Sequence, residues 1–166
     1  TSGAGTIAIS FDAPTNNSYT DYFKLNLTDS SGTVLAAQDT GKDTSFSAGV
    51  GSAGTYYVSI DSGRSTYGSV YHDSGEYSVT ATTTTGSLSG VETEDNNTQS
   101  NADSITSGVA IKGQLSSSTD KDYYKITTSG AGTIAISFDA PTNNSYTDYF
   151  KLNLTDSSGT VLAAQD

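Results

Sequence analysis

Five oxygen-bearing side chains set the chemistry open to this sequence. Glu92, Glu94 and Asn96 alternate along one acidic run, VETEDNN (91–97), and Asp120 and Asp122 alternate in a second, DKDYY (120–124). In extended backbone successive side chains point to opposite faces, so each alternating set projects to one side of its segment. Carboxylate, amide and backbone carbonyl oxygens are what Ca²⁺ takes, about six to eight at a time. Carbonyls near Ser118 or Thr119 would add to such a shell. Clustered carboxylates repel one another until a cation joins them, so an ion here would order the segments that carry it. The plain alternative is two solvated acidic loops.

Other chemistries find no footing. There is no Cys, which removes disulfides, thiolate nucleophiles and Zn–thiolate sites. The single histidine, His72, sits in a Gly/Ser/Tyr loop without a G-x-S-x-G elbow, so a Ser–His–Asp hydrolase is not expected. Paired carboxylates serve glycosidases, but these lie in loops and the chain has no Trp. The expectation is a protein that is not an enzyme. The net charge of −11 disfavours nucleic acid and anionic membranes as partners and favours divalent cations. No stretch approaches the ~18 apolar residues of a spanning helix, so no membrane insertion is expected. The Tyr-rich loop 67–77 is a candidate surface for saccharides or proteins, and the expectation that outweighs it is structural, with some of these rings capping the sandwich. Asn16, Asn26, Asn96, Asn143 and Asn153 occupy N-x-S/T sequons.

The elements that must position these groups are strands. Thr6, Ile7, Ala8, Ile9, Ser10 and Phe11 alternate polar and apolar, as in a strand with Ile7, Ile9 and Phe11 facing inward. Residues 22–27 form the next, and a D-S-S-G turn (29–32) folds 33–37 back as a hairpin. Further strands are expected at 44–48, 54–60, 76–81, 109–115 and 120–126. No segment carries a 3.6-residue apolar stripe. Residues 82–90 (TTTTGSLSG) read as a semi-stiff joint between units.

The strongest organising feature is a repeat. Residues 128–166 reproduce residues 1–39 one for one, an offset of 127. A period of about 127 residues is far above that of solenoids, so each unit is expected to be a globular bead in a longer array. On this reading the chain is cut out of phase: 1–90 is the later part of one unit and 91–166 the earlier part of the next. The halves can close in three ways. Residues 1–127 can close alone, 40–166 can close alone, or each half can be completed by a neighbouring unit or chain. The joint at 82–90 favours the last. The fold expected is all-β, an antiparallel, jelly-roll-like β-sandwich.

Rotated into phase, with 91–166 continuing as 40–89, the unit resembles the bacterial pre-peptidase C-terminal (PPC-like) domain. The resemblance rests on an E-x-E-x-N-N run at Glu92, Glu94, Asn96 and Asn97, a G-x-L strand at Gly113 and Leu115, and D-x-D-Y-Y at Asp120, Asp122, Tyr123 and Tyr124. A Gly-led strand (130–138), a D-x-x-G hairpin at Asp156 and Gly159, a G-x-Y-Y-V strand (54–58) and a G-x-Y-x-V strand (75–79) follow. Asp95 stands where the family often has Pro. That family is a β-sandwich of secreted peptidases, collagen-binding modules and large surface proteins. The resemblance implies that Glu92, Glu94, Asn96, Asp120 and Asp122 meet around one Ca²⁺. It further implies a secreted or cell-surface location and a structural repeat of an adhesin or filament, with neighbouring copies of itself as head-to-tail partners and a host or matrix polymer as a further partner. The alternative it implies is a collagen- or polysaccharide-binding accessory module of a secreted hydrolase.

Overall fold

The computed structural model describes residues 1–16, 22–63, 65–66, 69–70, 73–86, 88, 90–141 and 150–165. Arg64, Tyr67, Tyr71, His72 and Asn143 lie outside the described residues. The chain packs as two units, Thr1–Thr127 and Thr128–Asp166. The phase boundary between residues 90 and 91 falls inside the first unit, so within a single chain the first of the three closures is the one adopted.

The first unit is built on two three-stranded antiparallel sheets. In one, β1 (Gly5–Asp12) lies between β4 (Thr44–Val50) and β8 (Ser78–Thr85), with Ile9 opposite Phe46 on one side and Ala81 on the other. In the second, β2 (Phe23–Thr28) lies between β3 (Val34–Thr40) and β5 (Tyr57–Ser62), with Leu25 opposite Gln38 and Ile60. The period-two alternation does what it must: Ile7, Ile9 and Phe11 on β1 and Phe23, Leu25 and Leu27 on β2 are all buried. Side chains from both sheets share two apolar clusters. Ile7, Ile9, Ala48 and Val50 join Leu27, Leu35 and Ala36 in one, and Phe11 and Ala13 join Phe23 and Leu25 in the other. Each buried Val, Leu, Ile or Phe among them contributes about 1.5–3 kcal/mol of transfer free energy.

The β2–β3 turn is locally determined. Asp29 Oδ1 accepts the Ser31 N–H at 2.8 Å, the Thr33 N–H at 2.9 Å and the Ser31 hydroxyl at 2.7 Å. Gly32 takes a φ of 90°, which a side chain would resist. Short pairs complete the first unit: β6 (Ser65–Thr66) with β7 (Ser69–Val70), and β9 (Asp103–Ser104) in parallel with β10 (Tyr124–Lys125). A single 3-10 turn, Gln99–Asn101, precedes β9. Among the described residues there is no α-helix, and no helix is long and apolar enough to cross a membrane.

Four sequence expectations need correction. Residues 82–85 are not a joint; they are the end of β8, where β-branched Thr pairs along β1 as far as Gly5. Residues 109–115 form no strand. Their single backbone bridge joins Lys112 to Val91, and Gln114 uses its side chain for pairing. Of 120–126 only Tyr124 and Lys125 are in a strand, because the acidic turn before them is held by side-chain bonds. The copy of β1 at 132–139 is not a strand either.

Among the described residues of the second unit, the strands are those of the hairpin. β11 (Leu152–Thr155) pairs with β12 (Val161–Gln165), Leu152 opposite Gln165 and Asn153 opposite Ala164. This is the register of Leu25 with Gln38 and Asn26 with Ala37. The register shift recurs too, after Leu154 as after Leu27. Even the ring pair is kept: Phe138 and Phe150 stand 5.0 Å apart, as do Phe11 and Phe23.

Candidate metal centre

The acidic run is fastened to the first unit through its backbone. Thr93 forms a parallel bridge with Gly49 at the end of β4, and Val91 forms one with Lys112. The Glu92 N–H donates to the Lys112 carbonyl at 2.9 Å, and the Lys112 N–H to the Gly90 carbonyl at 3.0 Å. Gly49 is required here, since a Cβ on it would run into the Glu92 carbonyl. The second acidic segment is tied to the first. The Tyr123 N–H donates to the Asn96 carbonyl at 3.1 Å, and the Lys121 N–H to Asn97 Oδ1 at 2.9 Å.

Glu92, Glu94 and Asp122 are thereby brought together, each offering a carboxylate oxygen within 4.8 Å of the others. Glu92 is buried, with one oxygen accepting the Gln114 N–H and the other the Tyr124 hydroxyl, the latter at 2.7 Å. Gly113 leaves the room for this, since a Cβ there would meet both Tyr124 Oη and Glu92 Oε2. Asn96 has no solvent exposure, and neither Oδ1 nor Nδ2 of its side chain has a hydrogen-bond partner. Glu94 Oε1 and Asp122 Oδ1 are buried without partners as well. Orphaned buried polar atoms are rare and call for an explanation.

The electrostatics express the same crowding. Burial first, then the charge of Asp120, with Glu92 and Asp122 behind it, pushes the Glu94 carboxyl up to about 8. Burial also pushes Glu92 up to about 7, against the opposing hydrogen bond from Tyr124 and with the Asp122 charge adding to the rise. Asp122 is raised, again chiefly by burial, while its hydrogen bond with Glu92 works against the rise. Burial and the adjoining Glu92 drive the Tyr124 phenol upward too, so it stays a donor.

Of the five ligands expected from sequence, Glu92, Glu94 and Asp122 converge, and Asn96 is buried two residues beyond Glu94. Asp120 stands outside the convergent set. Its Oδ2 accepts the Ser116 hydroxyl at 2.8 Å and the Ser116 N–H, and its Oδ1 accepts the Lys121 N–H at 2.9 Å. It acts on Glu94 and Asp122 through its charge alone. An open groove lined by Val34, Glu94, Asn97, Ser117 and Asp120 gives access from solvent.

Sequence reasoning missed Asp103, whose Oδ2 holds the Thr93 N–H at 2.6 Å and whose charge helps raise Asp122. No local pattern marks it. It also missed Tyr124 and Gln114 as partners of Glu92, although Tyr124 closes the D-x-D-Y-Y run. The Asn96 sequon is closed to modification in this fold, since the amide is inaccessible. Tyr77, at the end of the Tyr-rich loop, packs its ring 5.5 Å from that of Phe11 and 6.2 Å from that of Phe23, the structural use expected of such rings.

The donor set is oxygen throughout. It suits a hard divalent cation and lacks the nitrogen and sulfur that zinc prefers. No protein family, curated protein or solved structure matches the chain.

Proposed function

We propose that this chain is a length of a non-enzymatic structural repeat, a PPC-like β-sandwich stabilised by calcium, from a secreted or surface-exposed adhesin or filament. The two sheets that share apolar clusters are the two layers of that sandwich. Glu92, Glu94 and Asp122, with the Asn96 amide oxygen, hold the ion, and Asp120 steadies the turn beside them. The ion supplies positive charge at a point where three carboxyls crowd together.

The observation that carries this reading is the set of buried, unpartnered oxygens on Glu94, Asn96 and Asp122. Each lacks a donor and each suits a hard cation. The exact repetition of residues 1–39 supports a mechanical role, because extension and spacing use identical beads whereas a ligand-binding accessory module needs only one.

A thermal melt in calcium, magnesium and chelator tests the proposal. An ion that binds only the folded state raises the midpoint by mass action. Calcium is expected to raise it well above the chelator value, with magnesium doing less. Equal midpoints in all three would remove the ion from the account. Retention of the chain on immobilised collagen or polysaccharide would favour the accessory-module reading instead.

A further inference from the structure

Asp103 touches both arms of the acidic centre. Its side-chain Oδ2 accepts the N–H of Thr93 at 2.6 Å, and Thr93 is the residue between Glu92 and Glu94. Its backbone N–H donates to the carbonyl of Tyr123, the residue after Asp122, at 3.0 Å. The Ile105 N–H donates to the Lys125 carbonyl at 3.0 Å, so the parallel β9–β10 pair holds Asp103 in register beside Tyr124. A backbone N–H given to an ionised carboxylate is one of the stronger kinds of hydrogen bond. One half-buried side chain thus fixes the arm that carries Glu92 and Glu94 against the arm that carries Asp122. The three carboxylate oxygens these arms present lie within 4.8 Å of one another. Opposite ligands of an ion stand at most two bond lengths apart, about 4.6–5.2 Å for calcium and about 4.0–4.2 Å for magnesium. A frame that keeps such oxygens from drawing closer penalises the smaller ion.

We infer that Asp103 is a positioning residue of the ion centre: it takes no place in the ligand shell, and it sets the spacing of Glu92 and Glu94 against Asp122 and with it the preference for calcium over magnesium. The inference rests on the proposed ion and names the group that determines which ion is taken. Hydrogen bonds that orient metal ligands from behind are worth about 10–100-fold in affinity. Rigidity adds selectivity, because magnesium requires a tighter and more nearly ideal shell than calcium does. Asp103 also carries a charge that reaches Asp122. Position and charge make opposite predictions for two conservative substitutions.

Calorimetric titration with calcium and with magnesium, beside a melt in chelator, tests this on the unsubstituted chain and three variants. Asp103→Asn loses the charge and keeps an oxygen for the Thr93 N–H. It is expected to bind calcium nearly as tightly as the unsubstituted chain and to keep the preference over magnesium. Asp103→Glu keeps the charge and moves the oxygen by one methylene. It is expected to bind calcium about tenfold more weakly, with magnesium changed less, so that the ratio of the two affinities narrows. Asp103→Ala loses both and is expected to bind calcium no better than Asp103→Glu. If the melt shows that Asp103→Ala does not fold, the Asn and Glu variants decide. A weak Asp103→Asn beside an unimpaired Asp103→Glu would mean that Asp103 acts by charge, and the inference is overturned. It is overturned too if every folded variant binds calcium as the unsubstituted chain does, or if calcium and magnesium weaken in equal proportion, as a merely structural loss would make them. Absence of calcium binding by the unsubstituted chain is a separate result, which removes the ion and this inference together.

Discussion

The side-chain amide of Gln114 pairs with both backbone groups of Ala37. Its Oε1 accepts the Ala37 N–H at 3.1 Å, and its Nε2 donates to the Ala37 carbonyl. A side chain thus occupies the place of a neighbouring strand on the outer edge of β3. The Gln114 backbone N–H meanwhile donates to Glu92. One residue links the edge of a sheet to the acidic centre. Gln114→Ala removes both bonds and leaves the edge groups of Ala37 unpaired. It is expected to lower stability by about 1–2 kcal/mol in urea denaturation, and to leave the calcium-dependent rise in midpoint in place, because the backbone N–H that holds Glu92 is kept.

The raised carboxyls make stability depend on pH with a definite sign. Glu92 and Glu94 move from an ordinary value of 4.5 to about 7 and about 8 in the folded chain. Between these values the folded state binds more protons than the unfolded one, so stability falls as pH rises from about 4.5 to about 8. In chelator the chain is expected to melt higher at pH 5 than at pH 8. Saturating calcium is expected to flatten or reverse that slope, because the cation replaces the protons. Melting curves across pH with and without the ion check both statements.

Removing one charge from the cluster separates the cost of crowding from the benefit of the ion. Glu94→Gln keeps the size of the side chain and removes the repulsion between Glu94 and its neighbours Glu92 and Asp122. At pH 8 in chelator this variant is expected to melt above the unsubstituted chain. In calcium it is expected to gain little, so the order of the two proteins inverts. Asp122→Asn is expected to behave in the same way. A lower midpoint in chelator for both variants would mean that the carboxyls act as fixed hydrogen-bonding groups and not as a repelling set.

Position in the fold, not residue identity, sets the cost of a truncation. Phe11 is 1% exposed and its copy Phe138 is 51% exposed. Phe11→Ala is expected to cost about 3–5 kcal/mol, and Phe138→Ala under about 1 kcal/mol at micromolar concentration. Chemical denaturation of the two variants side by side measures the difference within one protein.

The candidate site was partly legible because its ligands follow a local pattern. Alternation placed Glu92, Glu94 and Asn96 on one side of an extended run, and in the structure Thr93 bridges to Gly49 and Val91 to Lys112, with a bend at Glu94. The same alternation paired Asp120 with Asp122. A turn fastened by Ser116 draws Asp120 aside while Asp122 points into the cluster. Asp103 was illegible, because its role depends on a parallel pairing of β9 with β10 that brings distant segments side by side.

The two blocks show where sequence stops and tertiary structure begins. The 25–38 hairpin forms twice, with one register and one bulge, because its turn is closed by Asp29, and again by Asp156, through bonds to residues no more than four places away. Such contacts travel with the sequence. The stretch GTIAISFD is β1 at residues 5–12 and no strand at 132–139, although every residue is the same. A strand has no hydrogen bonds of its own. It exists only where another segment offers a ladder, and the ladders of β1 come from β4 and β8, more than thirty places away. The alternation therefore determined which face would be apolar, and tertiary structure alone decided whether that face would be covered.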